Sequence, residues 1–170
     1  MGDKEPVPLS PGRRVAPPVA RGRLVTLEVN VTIRQEARTI FAFLADQRNR
    51  RLILPADWTD FRVITPYSRG VGARALFILR LPWRNAPVTV EMLALEEPVR
   101  LVERAVGAQM AFDILWSLEP VGGGMTRVTL RSSYVPAGGV LGLLLDRLVT
   151  RRLLRRDYRQ ELVRLKREVE

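Results

Sequence analysis

Two hydrophobic periods share this chain, and the places where one gives way to the other divide it into elements. From Leu24 to Ile33 the side chains alternate. Val25, Leu27, Val29, Val31 and Ile33 point one way, and Thr26, Glu28, Asn30 and Thr32 the other. A period of two predicts a half-buried strand. From Gln35 to Ala45 the period lengthens, and Ala37, Ile40, Phe41 and Leu44 fall on one helical face. Residues Asp46 to Leu54 predict a second short helix that stops before Pro55, because proline disfavours helical backbone in the residue ahead of it. Neither helix is long enough to stand alone, so both must pack on a sheet.

Six further strands are predicted, each bounded by turn residues: Phe61 to Tyr67, Ala73 to Leu81, Val88 to Leu95, Leu101 to Val106, Met110 to Leu118 and Thr126 to Val135. The connections, such as Arg69-Gly70-Val71-Gly72 and Gly122-Gly123-Gly124, are too short for a parallel crossover. Neighbouring strands are therefore antiparallel. The last stretch, Gly138 to Glu170, contains no proline and predicts one long helix. Its apolar positions form two stripes. Leu141, Leu144, Leu145, Leu148 and Val149 make the first, and Leu154, Tyr158, Leu162, Leu165 and Val169 the second. The stripes are out of phase by about one residue at 100° per residue. A bend, a π-bulge or a change of packing partner is expected at Thr150-Arg151-Arg152.

The order is one strand, two short helices, six antiparallel strands and a long helix. That is an α+β architecture with a seven-stranded sheet. Residues 1–22 hold Pro6, Pro8, Pro11, Pro17 and Pro18 and few large apolar side chains, so a disordered leader is expected before a single domain over 23–170.

Composition narrows the chemistry. The 170 residues include no cysteine and no histidine. Disulfides, thiolate chemistry, a Ser-His-Asp triad and zinc held by thiolate or imidazole are excluded. No metal site or cofactor is expected. The net charge of +10 is uneven: residues 1–23 carry five Lys/Arg against two acids, 147–170 nine against four, and the body between them fourteen against twelve. Arg147, Arg151, Arg152, Arg155, Arg156 and Arg159 make the last helix basic. A solvated outer face is the expectation, partly neutralised by Asp157 and Glu161 within helical reach. Binding of nucleic acid, an anionic membrane or an acidic partner is the alternative. The N-terminus lacks the apolar core of a signal peptide, and a cytoplasmic monomer or homodimer is expected.

Several local patterns resemble the START/Bet v 1-like (SRPBCC) superfamily, which includes polyketide cyclase/dehydrase-like proteins. The helix ending Phe43-Leu44-Ala45-Asp46, the turn Gly70-Val71-Gly72-Ala73, the segment Glu97-Pro98-Val99-Arg100-Leu101-Val102 and the hairpin Trp116 to Thr129 carry the likeness, which spans Leu24 to Glu170. The resemblance implies the helix-grip fold, a curved sheet wrapped around the C-terminal helix. It also implies a small hydrophobic partner such as a lipid, isoprenoid or polyketide-like compound. A cyclase or dehydratase activity is the alternative.

In the antiparallel reading, one face of the sheet carries Phe77, Leu79, Val90, Met92, Phe112, Ile114, Trp116, Ser132 and Tyr134. With Leu141, Leu144, Leu145 and Leu148 of the helix, these are the residues expected around an apolar cavity, or simply the core. Phe77, Phe112 and Tyr134 rank first because large aromatics shape pockets. Glu103 and Tyr134 are the candidates for acid–base chemistry, since a carboxyl in an apolar cavity has a raised pKa. Either face of the sheet is open to Glu103, and the plainer reading turns it to solvent beside an arginine. Asp113 and Arg131 fall on the opposite parity and are expected outside. Trp58, Tyr67 and Trp83 either rim the cavity mouth or anchor loops.

Overall fold

The computed structural model describes residues 23–81, 84–107, 110–136 and 146–170. The expected leader, Trp83, Leu141, Leu144 and Leu145 lie outside them. β1 (Val25–Ile33) is followed by helix α1 (Ala37–Leu44), a 3-10 turn (Gln47–Asn49) and helix α2 (Arg50–Ile53). A meander of β2 (Trp58–Val63), β3 (Arg74–Leu81), β4 (Arg84–Glu96), β5 (Arg100–Gly107), β6 (Met110–Gly122) and β7 (Met125–Tyr134) comes next. A π-helical turn (Asp146–Thr150) leads into helix α3 (Arg151–Val169).

The seven strands form one antiparallel sheet in the order β1-β7-β6-β5-β4-β3-β2. The first strand pairs with the last, from Val25 opposite Tyr134 to Ile33 opposite Thr126. Register shifts at Met92/Ala94 and at Thr59/Arg62 add residues on one side of a pair. Such bulges bend a strand and increase its twist, which curves the sheet. This is the helix-grip α+β fold.

Alternation places Val25, Leu27, Val29 and Ile33 of β1 inside. α1 buries Ala37, Ile40, Phe41 and Leu44 on the face its spacing predicts. The 3-10 turn is capped by Asp46, whose carboxylate accepts from the Arg48 amide at 3.0 Å. α2 ends at Leu54, which adopts the extended backbone that Pro55 demands.

β2 begins and ends earlier than the predicted Phe61 to Tyr67. Trp58 already pairs with Leu79 and stacks on Phe77 with ring centroids 4.6 Å apart. Asp60 interrupts the strand at a positive φ of 57°, a conformation that aspartate tolerates better than most residues. Beyond Val63 the Thr65 hydroxyl accepts from the Arg74 amide and donates to the Tyr67 carbonyl, which turns the chain before Pro66 can prolong the ladder.

The phase change in the last helix takes the form of the π-helical turn, which inserts the extra residue the two stripes require. After it, Tyr158, Leu162 and Leu165 are buried, with Leu154 and Val169 at the margin. α3 packs on β1, α1 and α2. Its end is tied down by Gln35 donating to the Val169 carbonyl at 3.0 Å and by Lys166 donating to the Thr32 carbonyl at 2.9 Å.

Candidate functional site

Between the sheet and α3 lies a cavity of about 50 Å³. Its floor is the inner face of the sheet: Phe77 and Leu79 of β3, Val88 and Val90 of β4, Ala105 of β5, and Phe112, Ile114 and Trp116 of β6. Period-two alternation on antiparallel neighbours brings these side chains to one face. Trp58 and Leu154 close the sides, and Arg50, Tyr158 and Glu161 supply the polar end.

That polar end is a buried charge cluster held by three elements. Arg50 of α2 donates through Nη1 to Glu161 Oε1 of α3 at 2.8 Å and through Nη2 to Glu103 Oε2 of β5. Glu103 also accepts from Trp116 Nε1 at 2.9 Å and from Gln47 Nε2 at 3.2 Å. The guanidinium lies 5.6 Å from the centroid of the Trp116 ring, within cation–π range. Beside the cluster, the Tyr158 hydroxyl donates to Ser132 Oγ at 2.9 Å.

Two carboxylates face one guanidinium here, and the electrostatics follow. Burial disfavours the Arg50 cation, but Glu103 and Glu161 outweigh that penalty and hold its pKa above the usual arginine value. Burial pushes the Glu161 carboxyl up to about 7, with Glu103 and Asp157 adding to the shift and Arg50 opposing it. Burial likewise raises Tyr158, against the bond to Ser132. The site therefore offers a carboxyl whose pKa is raised toward neutrality by burial, within reach of an apolar space.

Of the residues singled out from the sequence, Phe77, Leu79, Val90, Phe112, Ile114 and Trp116 lie on the cavity wall. Met92, Ser132 and Tyr134 are buried but off it, Tyr134 against the Phe112 ring at 5.1 Å. Leu148 is 51% exposed and is not on the cavity wall.

Glu103 corrects the plainer reading. It is fully buried, and Arg50 and Trp116 rather than Glu103 itself meet the cavity. Asp113 and Arg131 are outside as expected, paired with Arg104 and Glu28. Glu161 was expected to neutralise surface arginines, yet it turns inward to Arg50. Trp58 reaches the cavity from within β2, whereas Tyr67 is half-exposed.

Val88, Ala105 and Leu154 on the wall, and Arg50, Gln47, Tyr158 and Glu161 at the polar end, are the site residues that sequence reasoning missed. A signal existed for Glu161. It lies three residues after Tyr158 and four before Leu165, on the buried stripe itself. Arg50 lies three residues before buried Ile53, a weaker sign in so short a helix.

Among the described residues no group of three or more histidine, cysteine, aspartate or glutamate side chains is placed to hold a metal, and no helix is long and apolar enough to cross a membrane.

Comparison with known structures agrees with this architecture. The chain is 23% identical to the KanY protein solved in solution, covering 86% of this chain and 98% of that one with a TM-score of 0.70. It is 14% identical to the ZhuI aromatase/cyclase of Streptomyces sp. R1128, covering 86% and 94% with a TM-score of 0.69. It is 11% identical to a START superfamily protein of Mycobacterium smegmatis, covering 85% and 96% with a TM-score of 0.65. At these identities the likeness shows the fold alone. No curated protein matches the sequence. The family model described as polyketide cyclase / dehydrase and lipid transport matches residues 25–170, and the chain belongs to that family.

Proposed function

We propose that the protein binds a small, predominantly apolar molecule beneath α3, its apolar body against the sheet and one polar group at the Arg50–Glu161 end. The observation that carries this reading is the cavity's composition: apolar walls that end on a single buried charge cluster. Apolar contact drives binding at about 25 cal/mol per Å² removed from water. The polar end fixes orientation. A buried ion cluster is weak evidence for stability, since apolar residues of like volume do as well. A role in recognition accounts for its presence at the cavity. The family description, which includes lipid transport, points the same way.

The space of about 50 Å³ accommodates only a small group, against roughly 300–1,000 Å³ for a pocket that holds a whole drug-sized ligand. Trp58, Leu79, Phe112 and Leu154 are half-buried around it. Their displacement admits a lipid, isoprenoid or polyketide-like ligand. The test is titration with the apolar fluorophore N-phenyl-1-naphthylamine. Saturable uptake is expected, displaced by isoprenoid alcohols and abolished by Ala105→Leu, which fills the floor. Absence of saturable uptake by the wild-type protein rejects the reading.

The Glu161 carboxyl, with a pKa near 7 on the cavity wall, favours a second reading: cyclase or dehydratase chemistry with Glu161 as the proton-transfer group. Turnover of a polyketide-like substrate would then be lost in Glu161→Gln while fluorophore uptake remains. Turnover that survives the substitution rejects it.

A further inference from the structure

We propose that the outer face of α3 is a docking surface for membranes rich in anionic phospholipid. Arg152, Arg155, Arg156, Arg159, Arg164 and Arg167 line an open groove of about 800 Å³ with Gln160, Val163 and Ala56. The structure makes this face more basic than the sequence suggests. Of the acids within helical reach, Glu161 is buried against Arg50, and Asp157 is buried with its carboxylate on Arg156. Arg156 is further engaged by Asp57, and Arg164 donates to the Leu54 carbonyl. Arg152, Arg155, Arg159 and Arg167 are exposed and have no ion-pair partner among the described residues.

The choice of partner rests on what lies between the arginines. Leu153 and Val163 are 43% and 47% exposed on the same helix, and Leu148 and Val149 are exposed one turn before it. Arginine and exposed aliphatic side chains on one helix surface match a headgroup layer with acyl chains beneath. A nucleic acid would gain from the cations but not from the aliphatics, and the aromatic that could stack on a base, Tyr158, is buried. The body of the fold, fourteen basic against twelve acidic residues over 24–146, adds little field of its own.

The experiment is flotation of the full-length protein with phosphatidylcholine vesicles, with and without phosphatidylglycerol, at low and high salt. Binding is expected only with phosphatidylglycerol and is weakened by salt. Replacing Arg152, Arg155, Arg159 and Arg167 by glutamine should weaken it by roughly a hundredfold or more, and lysine at the same positions should restore it. Leu153→Ser with Val163→Ser should remove the part that persists at high salt. These six side chains are exposed, so unchanged circular dichroism and melting are expected throughout. The proposal is overturned if wild-type protein ignores phosphatidylglycerol vesicles, or if the glutamine variant floats as well as wild type. It is equally overturned if the serine variant is unaffected while an RNA oligonucleotide strips the protein from the vesicles.

Discussion

Arg50 and Glu161 meet at 2.8 Å although 111 residues separate them in the chain. One comes from a four-residue helix, the other from the middle of α3. Their contact fastens the segment between β1 and β2 to the C-terminal helix, and Glu103 extends the tie to the centre of the sheet. Arg50 and Glu161 also form the charged end of the interior space, with Glu103 behind them, so fold and site depend on one cluster.

The Glu161 carboxyl predicts a pH dependence of stability. Its pKa rises from 4.5 to about 7 on folding, so the folded state binds the proton more tightly than the unfolded one. Stability from this group is complete below about 4.5 and is lost as pH rises through 7. Urea midpoints measured between these values should fall with pH in the wild type and flatten in Glu161→Gln. Asp46 works in a separate, more acid window. Its pKa is lowered chiefly by Arg48, so its contribution is present above the ordinary aspartate range and is lost as pH falls below it. A Glu161→Gln variant with an unchanged slope would refute the assignment.

Removing the shared cation should be worse than removing the whole cluster. Arg50→Met leaves Glu103 and Glu161 buried without their partner, and breaking a buried pair typically costs about 3–5 kcal/mol. Combining Arg50→Met with Glu103→Gln and Glu161→Leu removes the stranded charge. Urea denaturation should show that the triple variant recovers most of the loss.

The sequence made the strands and their inner face legible because alternation is a local property. Ile114, Trp116, Leu118 and Val128, Leu130, Ser132 needed only parity to be placed. The phase slip at Thr150 was visible for the same reason. The charge cluster was not, because a charged residue on an apolar stripe has two readings until its partner is known. Glu103 alternates with buried Leu101 and Ala105, and Glu161 sits on the Tyr158–Leu165 stripe. Each position signalled burial, while each residue type signalled solvent. What resolves the conflict is Arg50, brought to both by tertiary packing that no local pattern encodes.

The Trp58–Phe77 stack predicts how the cavity opens. Trp58 is half-buried and lies 4.6 Å, centroid to centroid, from fully buried Phe77. Trp58→Ala removes a side wall without touching the charge cluster. It should increase N-phenyl-1-naphthylamine uptake. Phe77→Ala removes floor from the centre of the core and should cost about 3–5 kcal/mol in stability. Equal destabilisation by the two substitutions would contradict this division between wall and core.

The bond from Tyr158 to Ser132 predicts a coupling that can be measured without any ligand. Both side chains are buried, and the hydroxyls meet at 2.9 Å between α3 and β7. Tyr158→Phe leaves the Ser132 hydroxyl without its donor, and Ser132→Ala leaves the tyrosine hydroxyl without its acceptor. Each should cost about 1–3 kcal/mol, the penalty for a buried polar group stripped of its partner. The double variant strands neither group. Its cost should therefore fall short of the sum of the two single costs by about 1 kcal/mol, because residues in direct contact are not additive. Thermal or urea unfolding of the four proteins closes the cycle. A strictly additive result would mean that the Tyr158–Ser132 bond adds nothing to the hold of α3 on β7, with Tyr158 serving there as a phenyl ring.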